Sequence, residues 1–347
     1  MSDTAGAADE AAEAAGLRYV TSAEPGIGRR RAGRGFRYVS AKGQTVTAAD
    51  ALNRIRRLAI PPAWREVWIC ADPRGHLQAL GKDARRRTQY LYHPEFRAVR
   101  DRAKFEHILE FACALPAIRR RVAADMGRRG LGRNKVLATV VHLLETTMIR
   151  VGNRDYAAAN SSYGLTTLCN RHVSLEGQEV RFHFKGKSGR DWRVSVRDRR
   201  AARIVRALQD LPGQLLFQYA DDDGALQAVS SADVNAYLRE ISGAEVTAKD
   251  FRTWAGTVLA AVALASRTAE GAAPSKRSAA EVIAGVAASL GNTPTICRKC
   301  YVHPHLVEAY LNGGLALRIN PEPCDELGLD AHEAAVLAFL KQRAAQS

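Results

Sequence analysis

Residues 17–80 consist of short apolar runs separated by glycine and proline, and this pattern predicts strands joined by turns. Strands are predicted at 17–21, 36–39, 67–70 and 77–80, and a helix at 48–58 with Thr47 as its N-cap. Residues 1–16 are rich in alanine and acidic side chains and have little to bury, so a disordered tail is expected there. We therefore expect a small strand-rich domain at 17–95.

From residue 96 onward the apolar residues recur mainly at i, i+3, i+4 and i+7, which predicts helices. Helices are predicted at 103–126, 134–149, 199–208, 232–241, 248–264, 278–290, 302–311 and 332–344, with Gly152 as the C-cap of the second. A strand meander at 172–174, 180–184 and 192–196, a hairpin turning at 221–224 and a small-residue linker at 269–274 separate them. The prediction is an α+β protein with a larger, mainly helical domain at 96–347.

The charge balance indicates what kind of molecule the protein binds. The chain of 347 residues has 51 lysines and arginines against 36 acidic residues, a net charge of +15. Such an excess is typical of proteins that bind nucleic acid, with a solvated basic surface as the alternative. No apolar run approaches the ~20 residues of a membrane helix, and no signal-peptide pattern begins the chain. We expect a cytoplasmic, nucleoid-associated protein with no membrane contact.

Metal and cofactor motifs are missing from the sequence. The six cysteines are too scattered for a disulfide scaffold, and Cys297 with Cys300 makes only half of a zinc-ribbon pattern. No carboxylate cluster, complete Walker loop or His-Glu-x-x-His motif accompanies them. We therefore expect reduced thiols, no metal and no cofactor.

Arginines cluster in the strand-rich domain, at 29–31, 34, 37, 54, 56, 57 and 85–87. The last cluster, Arg85, Arg86 and Arg87, runs directly into Gln89, Tyr90 and Tyr92. Cations hold phosphates, and glutamine can reach base edges. Each arginine alone could be a solvated charge, but the clusters together favour DNA contact by this segment.

Tyr301 follows two cations, Arg298 and Lys299, and lies nine residues after Asn292. A tyrosine with a pKa of about 10 is a poor nucleophile at neutral pH. Nearby cations favour its phenolate form, which can attack a phosphodiester and hold it covalently. The structural alternative is a half-buried helix tyrosine.

Arg150, Lys187 and Arg252 are further candidates for phosphate chemistry. The alternatives are a cation favoured by a helix C-terminus for Arg150, a solvated turn residue for Lys187 and an ion pair for Arg252. Arginines clamp phosphate oxygens and stay charged at any working pH. With Tyr301 they indicate metal-free transesterification, although spacing alone does not establish that they converge.

Five short polar and glycine-containing segments occur in order along the chain. They are Ile-Arg-Val-Gly-Asn (149–153), Ser-Tyr-Gly-Leu-Thr-Thr-Leu (162–168), Phe-Lys-Gly-Lys-Ser-Gly (184–189), Lys-Asp-Phe-Arg-Thr-Trp (249–254) and Gly-Asn-Thr-Pro followed by Cys-Tyr (291–301). Together they resemble the type IB DNA topoisomerases, in particular the bacterial class similar to the small poxvirus enzyme. Ile-Pro-Pro-Ala-Trp (60–64) and Gln-Tyr-Leu-Tyr (89–92) resemble that family's N-terminal domain. The resemblance covers roughly residues 17 to 312 and implies the catalytic fold shared with tyrosine recombinases.

The resemblance implies a role for each matched residue. Tyr301 matches the nucleophile, which forms a 3′-phosphotyrosyl link and releases a 5′-hydroxyl. Arg150 and Arg252 match the arginines that stabilise the pentacoordinate transition state. Lys187 matches the hairpin lysine that acts as general acid, and Lys249 matches a basic residue that supports this proton transfer. Supercoils would then relax without ATP or Mg²⁺, by a monomer clamped around double-stranded DNA.

Asn292 departs from the pattern of the family that the chain resembles. Poxvirus and nuclear members have a histidine at the matching position. Asparagine can donate a hydrogen bond to a phosphate oxygen but cannot carry a positive charge. We expect Asn292 to belong to the active site with a role that differs from the histidine's.

Two other functions are compatible with parts of the sequence. A tyrosine recombinase would use the same nucleophile, but recombinases typically have His-x-x-Arg, whereas position 249 is lysine, and their N-terminal domain is helical. A non-catalytic basic DNA-binding module would bind with a strong salt dependence and form no covalent adduct. Trapping of a protein–DNA adduct separates it from either enzyme.

Overall fold

A computed structural model describes residues 3–221, 223–271, 273–319 and 328–346. The chain divides into two compact units, Met1–Glu106 and His107–Ser347. The division falls inside one long helix, Pro94–Met126. The boundary predicted from the sequence, between residues 95 and 96, lies near the start of the same helix.

The N-terminal unit contains α1 (Asp3–Ala14), β1 (Gly26–Ala32), β2 (Gly35–Val39), α2 (Ala49–Arg57), β3 (Arg65–Cys70), β4 (Leu77–Lys82) and β5 (Thr88–Tyr92). Its five strands form an antiparallel sheet of strand order β2-β1-β3-β4-β5. The core beneath the sheet contains Ile27, Ile55, Val67, Ile69 and Ala79. The helix α2 contributes Ile55 and thereby covers one face of the sheet.

Two arginines of the predicted DNA-binding clusters hold this unit together. Arg29 donates to the carbonyls of Ile60, Pro61 and Trp64 at 2.8–3.1 Å. Arg54 donates to the Gln78 side chain at 2.7 Å. Burial lowers the pKa of both arginines, so these two cations serve the fold.

The structure corrects several local predictions for this unit. The segment expected to be a disordered tail contains α1, whose Ala12 packs against Leu17 and Phe96. The predicted strand at 17–21 is reduced to a single bridge between Arg18 and Gly75. Strands β1 and β5 were not predicted, because arginines and glycines in β1 and the two tyrosines of β5 obscure the period-two pattern. The N-cap of α2 is Ala48, which has no side-chain cap, and not Thr47.

The larger unit is mainly helical and continues the long helix α3 (Pro94–Met126). Its other helices are α4 (Arg133–Thr147), α5 (Arg154–Asn160), α6 (Arg199–Gln209), α7 (Ser231–Ser242), α8 (Ala248–Ala269), α9 (Lys276–Ser289), α10 (Pro294–Cys300), α11 (Pro304–Leu311) and α12 (Ala331–Ala344). Its strands are the meander β6 (Val173–Glu176), β7 (Glu179–Lys185) and β8 (Asp191–Arg197), and the hairpin β9 (Gln218–Ala220) and β10 (Leu226–Ala228). The α+β fold class is therefore confirmed.

Helix α8 is central to this unit and packs against α4, α7, α9, α11 and α12. Its buried face includes Trp254, whose indole donates to Glu333 of α12 at 3.0 Å. Glu333 also accepts two hydrogen bonds from Arg119 of α3 at 2.9 Å, and Arg119 reaches Glu145 of α4 at 2.8 Å. This buried network joins α3, α4, α8 and α12, and it contacts α8 at Trp254, two residues after Arg252.

Differences from prediction in the larger unit are confined to element ends and short elements. The left-handed C-cap of α4 is Met148, at φ 55°, and not Gly152. Helix α10 is short and was not predicted, and α8 extends to Ala269, into the predicted linker. Part of that linker, and position 222 of the predicted turn, lie outside the described residues. Of the helices described, none is long and apolar enough to cross a bilayer.

Candidate active site

Arg150 lies in an extended segment that follows α4 and is held by a second loop. The carbonyl of Arg150 accepts from Leu165 N at 2.9 Å, and that of Val151 accepts from Thr166 N at 2.8 Å. The two backbones approach so closely that a methyl group on Gly164 would lie 2.5 Å from the Arg150 carbonyl oxygen. This close approach fixes the backbone from which the Arg150 side chain extends. It also gives a structural reason for the glycine in the segment 162–168, one of the five ordered segments of the sequence.

Arg252 lies one turn into α8 and is 3% exposed. Its guanidinium donates to the carbonyl of Met148 and, at 2.6 Å, to that of Leu290. Met148 and Leu290 are the C-cap residues of α4 and α9. Arg252 therefore links the C-terminal ends of the two helices that precede Arg150 and Asn292.

Asn292 is bonded directly to Arg150. The guanidinium of Arg150 donates to Asn292 Oδ1 at 2.5 Å and to the Gly291 carbonyl at 3.3 Å. The Nδ2 atom of Asn292 and the Nε atom of Arg252 are both buried without a hydrogen-bond partner. The site therefore holds two unused donors next to its cations.

The two arginines bring positive charge together without a carboxylate. Within the described residues, Arg150 and Arg252 donate to backbone carbonyls and to Asn292, and neither arginine forms an ion pair. Burial and then repulsion from Arg150 lower the pKa of Arg252 to about 10, and burial lowers the pKa of Arg150. Both remain cationic at neutral pH. An unpaired buried charge is costly, so the pair is suited to an external anion.

Tyr301 is the residue that ends α10. Its carbonyl accepts from Thr257 Oγ1 of α8 at 3.3 Å, which links it to the helix that carries Arg252. The guanidinium carbon of Arg252 lies 5.4 Å from the centre of the Tyr301 ring. The Tyr301 side chain also opposes the lowering of the pKa values of Arg150 and Arg252. The candidate nucleophile thus lies against both cations.

Lys187 and Lys249 are exposed lysines on different elements that face the same cleft. Lys187 lies in the turn between β7 and β8, where the Gly186 N–H donates to the Arg190 carbonyl at 2.7 Å. Lys249 lies in the first turn of α8, three residues before Arg252. Both amines are therefore close to the anion site without being buried in it.

The cleft that these residues line has a volume of about 460 Å³. Five of the six predicted catalytic residues line it: Arg150, Lys187, Lys249, Arg252 and Tyr301. The sixth, Asn292, is not at its surface but is joined to it through Arg150. Sequence reasoning missed Asn153, Tyr156, Ser162 and Tyr163, which also line the cleft. Their positions inside or beside two of the five ordered segments were the available signal.

Cys297 and Cys300 precede Tyr301 but offer it no chemistry. Cys297 is fully buried, and burial raises the pKa of its thiol to about 11. In the described part of the chain, no group of three or more histidine, cysteine or acidic side chains is placed to hold a metal ion.

The predicted DNA-contact residues of the N-terminal unit lie on the β4–β5 hairpin. Asp83 accepts from the Gln89 side chain at 3.1 Å and from Arg87 Nε at 2.8 Å. Arg85 and Arg86 are exposed in the turn. Tyr90 is 50% exposed and stacks on Tyr92 with ring centres 6.0 Å apart. Tyr92 is half-buried and packs on Phe96, so it supports Tyr90 more than it faces solvent.

Comparison with known proteins places these features in a family. The family model described as "Eukaryotic DNA topoisomerase I, catalytic core" matches residues 93–313, a range that contains all six candidate catalytic residues. The model "Bacterial DNA topoisomerase IB, N-terminal domain" matches residues 35–83. The protein "DNA topoisomerase 1B" of Acanthamoeba polyphaga mimivirus is 31% identical over 295 residues, which cover 83% of this chain and 88% of that relative. The chain belongs to the type IB DNA topoisomerase family.

Proposed function

We propose that this protein relaxes supercoiled duplex DNA by cutting and resealing one strand through Tyr301, without ATP or metal. The observation that carries the proposal is the pair Arg150 and Arg252, two cations that have no carboxylate partner in the described residues and lie against a tyrosine. A phosphodiester is the anion that matches this charge and this nucleophile. The family assignment favours this activity over a recombinase and over a non-catalytic DNA-binding protein.

In the proposed cleavage step, the deprotonated Oη of Tyr301 attacks the scissile phosphorus. Arg150 and Arg252 stabilise the additional negative charge of the pentacoordinate transition state. The bond to the 5′ oxygen breaks, and Lys187 donates a proton to that oxygen, with Lys249 supporting the transfer. The products are a 3′-phosphotyrosyl link and a free 5′-hydroxyl. After rotation of the nicked end, the hydroxyl attacks the phosphotyrosine and the same groups act in reverse.

Asn292 has two functions in this proposal. Its Oδ1 accepts from Arg150 and so orients that guanidinium. Its unused Nδ2–H is buried and not at the cleft surface, so its donation to a nonbridging phosphate oxygen requires the amide to reach the cleft when DNA binds. The histidine of related enzymes would add charge at this position, which the amide does not supply.

We extend the proposal to DNA binding by the N-terminal unit. Its β4–β5 hairpin carries the exposed Arg85, Arg86 and Tyr90, which suit contact with phosphates and bases. Gln89, Arg87 and Tyr92 support them through Asp83 and through ring packing. A monomer that clamps one duplex with both units, and that associates with the nucleoid in the cytoplasm, completes the proposal.

Plasmid relaxation in EDTA tests the activity directly. The wild-type protein is expected to relax supercoiled plasmid without a metal ion or paired recombination sites, and denaturant is expected to trap a covalent adduct. Tyr301→Phe removes the attacking oxygen and is expected to abolish both. Tyr219→Phe, in β9 and outside the cleft, is the control and should retain both. An adduct formed by Tyr301→Phe would refute the mechanism.

A further inference from the structure

Trp192 of β8 contacts two glycines that belong to different parts of the active site. A methyl group built on Gly186 would lie 2.5 Å from Trp192 Cδ1, and one on Gly291 would lie 2.6 Å from Trp192 Cζ2. Both separations are too short for real carbon atoms, so the indole fills the space between these two backbones. No side chain fits at either glycine while the indole remains in place.

The two glycines lead directly to two different groups of the proposed mechanism. Gly186 begins the turn that carries Lys187, and its carbonyl accepts from Gly189 N at 3.0 Å. Gly291 precedes Asn292, and its carbonyl accepts from Arg150 at 3.3 Å. The five-membered ring of the indole therefore contacts the lysine turn, and the adjoining Cε2–Cζ2 part of the six-membered ring contacts the segment that orients Arg150.

The indole is itself held in place by its neighbour across the meander. Phe184 is directly opposite Trp192 in the β7–β8 register. The two rings are nearly parallel, with centres 6.3 Å apart and an angle of 6° between their planes. Phe184 is 4% exposed, so it anchors the half-buried indole to the core of the unit. Such a supported ring is a rigid spacer.

We propose that Trp192 is a positioning residue that sets the distance between the Lys187 turn and the Arg150–Asn292 pair. The inference rests on the proposed function, because it requires Lys187 to be the general acid. Lys187 is exposed, and within the described residues no hydrogen bond or ion pair holds its amine. Its reach to the leaving oxygen therefore depends on where its turn is placed. A general acid contributes about 10²–10⁴-fold, and only when it is within hydrogen-bonding distance of that oxygen.

The first test uses a leaving group that needs no acid. After cleavage sites are mapped with the wild-type protein, a duplex is made with sulfur in place of the bridging 5′ oxygen at one site. A thiolate leaves without protonation, since thiols have pKa values of about 8.5. Trp192→Ala is expected to slow cleavage of ordinary DNA by about 10²-fold and of the sulfur-containing duplex by less than about 10-fold. Trp192→Phe, which keeps a ring, should lie between it and wild type on ordinary DNA.

Lys187→Ala is measured on the same two substrates, and it separates failure of this inference from failure of the proposed function. If sulfur restores Lys187→Ala but leaves Trp192→Ala equally slow on both substrates, Trp192 does not act through the lysine and the inference is overturned. If sulfur restores neither variant, Lys187 is not the general acid, and the proposed mechanism fails first. Unchanged cleavage by Trp192→Ala on ordinary DNA would also overturn the inference.

The second test uses the contact between Gly186 and the indole. Gly186 has φ −91°, which alanine adopts without strain, so Gly186→Ala acts only by pushing the indole. Gly186→Ala alone is expected to slow cleavage of ordinary DNA about 10-fold or more, by moving a group that needs close placement. In the Trp192→Ala background the added methyl has room and is expected to cause no further loss. Gly285→Ala in α9, where a methyl meets no atom within 4 Å, is the matched control. Additive losses in the double variant would show that the two residues act independently.

Discussion

Asn292 Oδ1 accepts a 2.5 Å hydrogen bond from Arg150, while Nδ2 of the same side chain is buried without a partner. One amide thus orients a cation of the site, and its second polar atom is a donor that no described residue uses. The arrangement allows hydrogen-bond donation to be tested separately from charge at a position where the family resemblance implies histidine in poxvirus and nuclear members.

Removal of that donor should slow the chemical step. Asn292→Ala is expected to lower the single-turnover cleavage rate by about 10²-fold, because one preorganised donor to the transition state is lost. Asn292→Asp keeps an acceptor for Arg150 but replaces the donor by a negative charge, so it should be slower still. A relaxation rate close to wild type for Asn292→Ala would contradict the role given to Nδ2.

A histidine at the same position tests whether charge adds to donation. Asn292→His is expected to cleave faster than wild type below about pH 6.5, where a free imidazole is protonated, and this advantage should decline above that pH. The measurement is the cleavage rate of each protein between about pH 5.5 and 8. If the two pH profiles coincide, donation alone accounts for the contribution of this position.

Arg252 should be needed for both folding and chemistry. Arg252→Ala leaves the carbonyls of Met148 and Leu290 without their donor and removes a cation that lies over the Tyr301 ring, so cleavage should fall by at least about 10²–10³-fold and the melting temperature should also fall. Arg252→Lys keeps the charge but cannot reach both carbonyls. It is expected to recover part of the stability and little of the rate; full activity would show that charge alone is sufficient.

The buried network around Glu333 should be the main electrostatic contribution to the stability of the larger unit. Glu333→Ala removes two hydrogen bonds to Arg119 and one to Trp254 and is expected to cost about 3–5 kcal/mol of unfolding free energy, since a largely buried cation loses a partner. Glu281→Ala breaks exposed pairs with Arg267 and Arg277 and should cost less than about 1 kcal/mol. Urea unfolding of the two variants provides the comparison, and equal losses would contradict it.

His107 should make stability depend on pH. Its hydrogen bond with Asp250, at 3.4 Å, raises the pKa of the imidazole, although burial opposes the shift. The folded state therefore binds the proton more tightly than the unfolded state. The contribution is complete below the unfolded pKa of about 6.5 and is lost as pH rises through the folded value. His107→Gln should lower the melting temperature more at about pH 5.5 than at about pH 8.5, and a constant difference would exclude this linkage.

Two exposed residues of the β4–β5 hairpin should affect DNA binding in different ways. Arg85→Ala is expected to reduce the slope of log K against log salt by about 0.9, because one phosphate contact is lost. Tyr90→Ala should weaken binding without changing that slope, because an uncharged ring releases no counterions. Arg31→Ala, on the same sheet in β1, tests whether the effect is specific to the hairpin. Equal slopes for Arg85→Ala and wild type would remove this arginine from the interface.

Much of the molecule follows from the order of residues along the chain. The helical period predicts the helices α3, α4, α6, α7, α8, α9 and α12, and most of the helix ends are predicted to within a few residues. The period is visible because one face of each helix is buried against a core. The candidates Arg150, Lys187, Arg252 and Tyr301 were also named from the sequence, on side-chain chemistry and on the family resemblance that the five ordered segments carry. The strand β1 and the helix α1 were not predicted, since their stability comes from neighbours and not from local pattern.

Only the tertiary structure brings the site together. Arg150 and Asn292 are 142 positions apart, and Arg252 bonds to Met148 across 104 positions, distances over which no local pattern carries information. The same holds for Trp192, whose role depends on two glycines that approach it from separate loops. The sequence by itself determined which side chains are available for phosphate chemistry. The packing of α4, α8, α9 and the β7–β8 turn decided which of them meet, because hydrogen bonds and ring contacts act only over a few ångströms.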